Sequence, residues 1–227
     1  MSIQEDYIYK LIHGYRDIYE NFDHTKYEDI LYGWNSDSKF FYEAINESKP
    51  NYILEIGSFL GKSAIHMGNY IKNNSLSTKI ICVDTWLGSL EMIADRFPAE
   101  REKIVKNGMP RLYDYFLANV KKHGLENIII PFPQTSYNAL KFFMQHNIFF
   151  DLIYLDGSNY YEELKKDIDL SWDVLSNDGI MFGDDYRNFS WPQIAVAVNE
   201  FVADNKLADN FKVNYDCYWS LKKKQVT

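Results

Sequence analysis

Apolar residues recur along this chain with two periods, and the alternation between them predicts its architecture. Ile8, Leu11, Ile12, Tyr15, Ile18, Tyr19 and Phe22 fall at three- and four-residue spacing, which predicts an amphipathic helix. Phe40, Phe41, Ala44 and Ile45 predict another, ending before Pro50. From residue 53 onward, short apolar runs alternate with helical patterns. Strands are predicted over 53–57, 79–84, 127–131, 151–156 and 179–183, and helices over about 61–73, 110–123, 136–146, 160–175 and 192–206. Residues 211–215 and 218–221, split by Asp216-Cys217, read as a closing antiparallel hairpin. The sum is an α/β fold: a Rossmann-like, seven-stranded, mostly parallel sheet with helices on both faces and extra helices at the N-terminus. Residues 1–50 read as a helical cap of the same domain as 51–227. The segment 86–110 lacks a strand pattern and reads as a lid or as a plain surface excursion.

The strand ends carry the candidate chemistry. The stretch Ile53-Leu54-Glu55-Ile56-Gly57-Ser58-Phe59-Leu60-Gly61-Lys62-Ser63 is an apolar run closed by an acid, then a glycine-bearing turn, then a helical pattern. Ile80-Ile81-Cys82-Val83 ends in Asp84, and an ionised carboxylate at a strand tip can accept both hydroxyl protons of a ribose. An adenosine-type cofactor follows. A dinucleotide fingerprint needs G-x-G-x-x-G, and Phe59 stands where its second glycine belongs. A phosphate-cradling P-loop needs G-x-x-x-x-G-K-[ST]. Gly61-Lys62-Ser63 supplies the end, but Ile56 replaces the first glycine and Glu55 would repel a triphosphate. S-adenosylmethionine, with no phosphates and a zwitterionic amino acid end, suits the loop better. Its carboxylate can meet the helix N-terminus and Ser63, and the acids favour its ammonium.

Composition narrows the class. A chain of 227 residues can bury one core, and 18 Tyr and 15 Phe can wall a pocket. A formal net charge of −8 argues against nucleic acid as a partner. The one basic run, Lys222-Lys223-Lys224, reads as a solvated end. Two cysteines give no disulfide framework, which fits a reducing, cytoplasmic compartment. No apolar run approaches the roughly 18–20 residues that span a bilayer, and no signal-peptide core opens the chain, so no membrane is expected. The aromatic-rich first helix could mediate a homo-oligomer or be buried within the chain.

Five blocks in order, ILEIGSFLGKSA (53–64), VDTWLGS (83–89), PQTS (133–136), DLIYLDGSNYYEELKKD (151–167) and GIMFGDDY (179–186), resemble the class I S-adenosylmethionine-dependent methyltransferases. More narrowly, they are similar to the branch of macrocin-type sugar O-methyltransferases and the so-called cephalosporin hydroxylase proteins. The resemblance spans roughly residues 33–202, with AVNEF (197–201) falling at a helix motif. It implies that Glu55, Gly57, Ser58, Gly61 and Ser63 form the amino acid end of the cofactor site. Asp84 would hold the ribose, with Thr85 and Trp86 beside the adenosine and Ser136 near the adenine. Trp86 reads equally well as a packing aromatic, and Ser136 also as a helix N-cap.

Asp156 ends the run 152–155, and Asp184-Asp185 follow 179–183. If these strands are neighbours, three carboxylates converge beside the cofactor and repel unless neutralised. Spacing alone favours ordinary caps and solvent-facing acids. The resemblance implies instead a Mg²⁺ site of Asp156, Asp184 and Asp185, an oxygen-only set suited to a hard cation, with Asp156 also bordering the cofactor. Such an ion would lower the pKa of a substrate hydroxyl for in-line attack on the sulfonium methyl. The chain departs from the family at the candidate catalytic position. The family usually reads D-G-S-H-x-Y-E; here Asn159 replaces the His, and an amide accepts no proton at neutral pH. His66 reads as a packed side chain, and His13, His24, His123 and His146 carry no motif. Tyr160 and Tyr161 are poor bases at an ordinary pKa of about 10. The expected activity is Mg-dependent O-methyl transfer to a small hydroxylated acceptor such as a sugar or natural-product scaffold. The alternatives are a cofactor-binding protein without catalysis and a P-loop-like phosphotransferase.

Overall fold

Strands whose residues are nearly all buried make the centre of the molecule, as a sheet covered on both faces requires. The computed structural model describes residues 3–90 and 104–224. Its parallel strands are β1 (Tyr52–Ile56), β2 (Lys79–Asp84), β5 (Ile129–Pro133), β6 (Phe150–Leu155) and β7 (Leu175–Gly183). β8 (Phe211–Asn214) and β9 (Tyr218–Lys222) complete a seven-stranded sheet in the order β5-β2-β1-β6-β7-β9-β8. β9 runs antiparallel to both of its neighbours, so the chain lays down the edge strand first and returns to fill the slot beside β7. The Rossmann-like sheet and closing hairpin expected from the sequence are borne out. A small separate hairpin, β3 (Val105–Lys106) with β4 (Met109–Pro110), carries no strand pattern in the sequence. The suggested lid at 86–110 lies partly outside the described residues.

Helices α3 (Lys62–Asn73), α4 (Leu112–Lys122), α5 (Ser136–Gln145), α6 (Tyr161–Val174) and α7 (Pro192–Asp204) cover the sheet. The neighbouring residues Ile53 and Leu54 point to opposite faces, as strand geometry dictates. Ile53 joins a core with Ala64, Met67 and Phe116, and Leu54 joins one with Ala139, Ile168 and Val198. No helix among the described residues is long and apolar enough to cross a membrane.

The N-terminal segment departs from the sequence pattern. α1 (Tyr7–His13) stops at Gly14, whose φ of +66° leaves the helical region. The chain then folds back: the Tyr9 hydroxyl donates to Arg16 O at 2.9 Å and accepts from Ile18 N at 3.2 Å. Tyr19 still reaches the core, but from a turn rather than a helix. α2 (Lys39–Ser48) starts at Ser38, whose hydroxyl accepts from Phe40 N, and ends ahead of Pro50. Its Phe41 meets Tyr154 and Phe182 at ring separations of 5.0 and 5.5 Å.

Candidate active site at the strand tips

The chain order moves outward from β1 to β2 and β5, then crosses back to β6 on the other flank of β1. Such a switch point leaves a crevice at the carboxyl ends of the strands. A cleft of about 1490 Å³ opens there, walled by the loops after β1, β2, β5, β6 and β7 and by residues 32–36.

On one side lies the loop after β1. Gly57 has φ +88° and donates to Val83 O at 2.9 Å. A Cβ at this position would lie 2.0 Å from Asp156 O, so only glycine lets the β1 and β6 tips approach. Beneath the turn, Glu55 is 0% exposed and accepts from Ser58 Oγ at 2.8 Å, Cys82 Sγ at 3.3 Å and Ser63 Oγ. Burial pushes its carboxyl up, and these donors oppose the shift. Asp84 accepts Phe59 N at 2.8 Å on one oxygen and Trp86 N at 2.7 Å on the other. Burial pushes this carboxyl up, and the backbone amides of Trp86, Phe59, Thr85 and Ser58 oppose the shift. Phe59 and Trp86 take up φ of +45° and +52°, a conformation that side chains rarely adopt, to aim these amides.

On the other side stand the acids. Asp156 N donates to Ile56 O at 2.9 Å, placing the residue against the β1 tip. Burial, and then the charge of Asp184, pushes the Asp156 carboxyl well above the usual range. Burial, and then the charge of Asp185, pushes Asp184 up in the same way. Asn35 Nδ2 reaches both strand-end acids, 3.5 Å from Asp184 Oδ2 and 3.4 Å from Asp185 Oδ1. The buried Tyr154 hydroxyl lies against Asp156 and opposes the rise of that carboxyl. Among the described residues, no group of three or more His, Cys, Asp or Glu side chains encloses a point where a metal ion could sit. Asn159 lies in the cleft wall, its carbonyl accepting from Gln193 Nε2 at 2.7 Å.

Residues 54–186, more than half of the chain, match the family model described as "Methyltransferase domain". The chain belongs to this methyltransferase family. The expectation of a class I methyltransferase is thereby borne out. A relative, "Uncharacterized protein R132" of Acanthamoeba polyphaga mimivirus, is 24% identical over 154 residues, which span 66% of this chain and 59% of that protein. Among solved structures, "the O-methyltransferase NovP" has a TM-score of 0.63 at 16% identity, covering 82% of this chain and 79% of its own. CalS11, described as a TDP-rhamnose 3'-O-methyltransferase of calicheamicin biosynthesis, gives 0.55 at 15% identity, covering 81% and 77%. An O-methyltransferase from Bacillus cereus, solved in complex with SAH, gives 0.55 at 13% identity, covering 88% and 86%. At these identities the likeness is one of fold.

In this methyltransferase, Gly57, Ser58, Ser63, Asp84, Thr85, Ser136, Asp156, Asn159, Asp184 and Asp185 all line the cleft. Glu55, Gly61 and Trp86 are not among its lining residues. Glu55 is turned beneath the loop. Trp86 is 2% exposed, with Nε1 donating to Phe59 O at 2.7 Å and its ring against Tyr113 and Phe116. The N-cap of α5 is Thr135, whose Oγ1 accepts from Asn138 N, leaving Ser136 in the first turn. His66 is packed: its nitrogens meet the Tyr42 hydroxyl and Ser38 O, and Tyr42 stacks on its ring.

Three cleft residues escape the sequence reading. Lys62 Nζ donates to Gly33 O at 3.1 Å and lies 3.7 Å from Asp37 Oδ2, pinning the strap of residues 32–36 over the cleft. Asn35 on that strap reaches the acids. Asp167 on α6 is 6% exposed, lines the cleft, and has its carboxyl pushed up to about 6 by burial, with the Ser136 hydroxyl opposing the shift. Its signal was present: a charge at helical spacing with the apolar Leu164, Ile168 and Val174 on the buried stripe of the helix.

Proposed function

We propose that this methyltransferase moves the methyl group of S-adenosylmethionine to a hydroxyl oxygen of a small acceptor, a sugar or related natural-product scaffold. The observation that carries the reading is Asp84. Its two oxygens are fixed by the Phe59 and Trp86 amides at the β2 tip, where the carboxylate lines the cleft next to a glycine turn suited to the methionyl end. The SAH named with the Bacillus cereus structure and the rhamnose acceptor named with CalS11 support the donor and acceptor classes.

The reading includes Mg²⁺ at the cluster of Asp156, Asp184 and Asp185, held by one or two of these carboxylates and not enclosed by all three. The donor set is oxygen-only, and burial, with the charges of Asp184 and Asp185, pushes the neighbouring carboxyls up. An open site in which one or two carboxylates hold an ion that keeps several waters fits this arrangement better than a closed cage. When bound, the ion would act as a Lewis acid toward the acceptor hydroxyl. The chain itself aligns donor and acceptor for in-line displacement and screens the sulfonium from water. A carboxylate of the cluster that is not holding the ion can take up the acceptor's proton, a role that Asn159 cannot fill. We place the protein in the cytoplasm, on account of its two free cysteines. Residues 1–50 act as a cap on the domain of 51–227, through the α2 aromatics packed on Tyr154 and Phe182.

Asn159 favours one second reading, a donor-binding protein that does not turn over. A radiolabel transfer screen with S-adenosylmethionine over sugars and phenols, with and without chelator, decides between them. Label transfer that chelator abolishes is the expected result. Tight SAH binding with no transfer to any acceptor would leave the second reading.

A further inference from the structure

We propose that Asp167 reads the purine of the methyl donor, accepting a hydrogen bond from its exocyclic amine. The inference rests on the donor reading above and adds the residue that makes it selective for adenine.

The sheet order places the tips of β1, β2 and β5 in succession. A nucleoside with its amino acid end at Gly57–Ser63 and its ribose at Asp84 therefore extends toward residues 134–136. There, Ser136 at the start of α5 meets Asp167 from α6, and both line the cleft. Asp167 belongs to the inward stripe of its helix, where an unsatisfied carboxylate is costly. Its hydrogen-bonding neighbour is the Ser136 hydroxyl, which fills one of about four acceptor positions. Among the described residues no cation is paired with it: Lys166, whose charge offsets part of the burial, has Nζ 4.1 Å over the Tyr137 ring.

Capping α5 does not explain the acid, since the Thr135 hydroxyl already performs that role. Nor is the carboxylate screened from the loop after β6. Asp167 Oδ2 lies close to this loop, 3.6 Å from where a Cβ on Gly157 would stand, and both residues line the cleft. The remaining capacity is thus acceptor-only, faces the cleft, and lies where the base must go. An adenine amine offers N–H donors without charge. A keto oxygen at the same position, as in hypoxanthine, would set lone pairs against lone pairs.

Calorimetry at pH 8 on the whole chain tests this with S-adenosylhomocysteine and S-inosylhomocysteine. The unaltered protein should prefer the adenosyl compound by about 10- to 100-fold, the range for one hydrogen bond to a charged group. Asp167→Asn presents an amide that can turn to face either base, and should bind the two within about threefold of each other. Equal affinity of the unaltered protein for both compounds overturns the proposal, and that measurement needs no variant. So does a preference that survives Asp167→Asn in a protein of native circular dichroism. Tight binding without discrimination removes the role of Asp167 alone. Failure of both compounds to bind removes the donor reading as well.

Discussion

On the proposed donor side of the cleft the protein satisfies Glu55 and Asp84 itself, whereas on the proposed acceptor side it leaves its acids facing one another. Glu55 receives three side-chain donors and Asp84 two well-aimed amides. One strand over, Asp184 raises the proton affinity of Asp156 and Asp185 raises that of Asp184, with the amide of Asn35 within reach of Asp184. A donor site organised in this way is ready before its ligand arrives. The acceptor side is completed from outside, by a proton, a cation or a substrate hydroxyl.

The most severe way to break this division is Gly57→Ala, which strikes both sides together. A methyl group there collides with Asp156 O and has to tolerate φ +88°. We expect SAH binding to vanish and stability to fall by more than about 2 kcal/mol, measured by calorimetry and urea unfolding. Asp84→Ala and Asp185→Ala should separate the sides. The first should weaken SAH about a hundredfold. The second should leave SAH affinity within about threefold while turnover drops by about a hundredfold. Equal losses of SAH affinity in both variants would erase the distinction.

A smaller effect comes from Asp167, a donor-side acid that the protein leaves only partly satisfied. Its carboxyl titrates at about 6 in the fold, with Glu163 adding to the shift and Lys166 opposing it. The unfolded carboxyl titrates near 3.9. Between these values the unfolded chain releases a proton that the folded one keeps. Stability from this group is therefore present below pH 4 and lost as pH rises through 6. Asp167→Asn should be more stable than the parent by about 2–3 kcal/mol at pH 8 and nearly equal to it at pH 4, by urea unfolding across that range. The mildest test is Asn35→Ala, whose long contacts predict a rise of a few-fold in acceptor KM with SAH affinity unchanged.

Strand tips were the most legible part of the chain, because a buried parallel strand needs an unbroken apolar run and the polar residue that ends it marks the rim. Asp84, Asp156 and Asp184 were found in this way, and all three line the cleft. What escaped depends on contacts across long sequence distances. Asn35 meets Asp184 across 149 positions, and no local pattern announces that. Glu55 was visible as a position, but its part as a brace required knowing that Ser58, Ser63 and Cys82 converge on it. Trp86 could not be placed by type, since its inward turn follows from a left-handed backbone. The run from Ile8 to Phe22 kept its helical spacing while Gly14 and the Tyr9 hydroxyl folded it back. β3 and β4, at two residues each, are too short for periodicity to register.

The hairpin that closes the sheet also holds the strap. Tyr218 donates its hydroxyl to Asn35 O, Tyr215 to Glu43 at 2.5 Å, and Lys222 pairs with Glu47 at 2.8 Å. Anything that loosens this hairpin therefore also loosens Asn35 above the acids, so fraying on this side of the sheet would be felt at the mouth of the cleft.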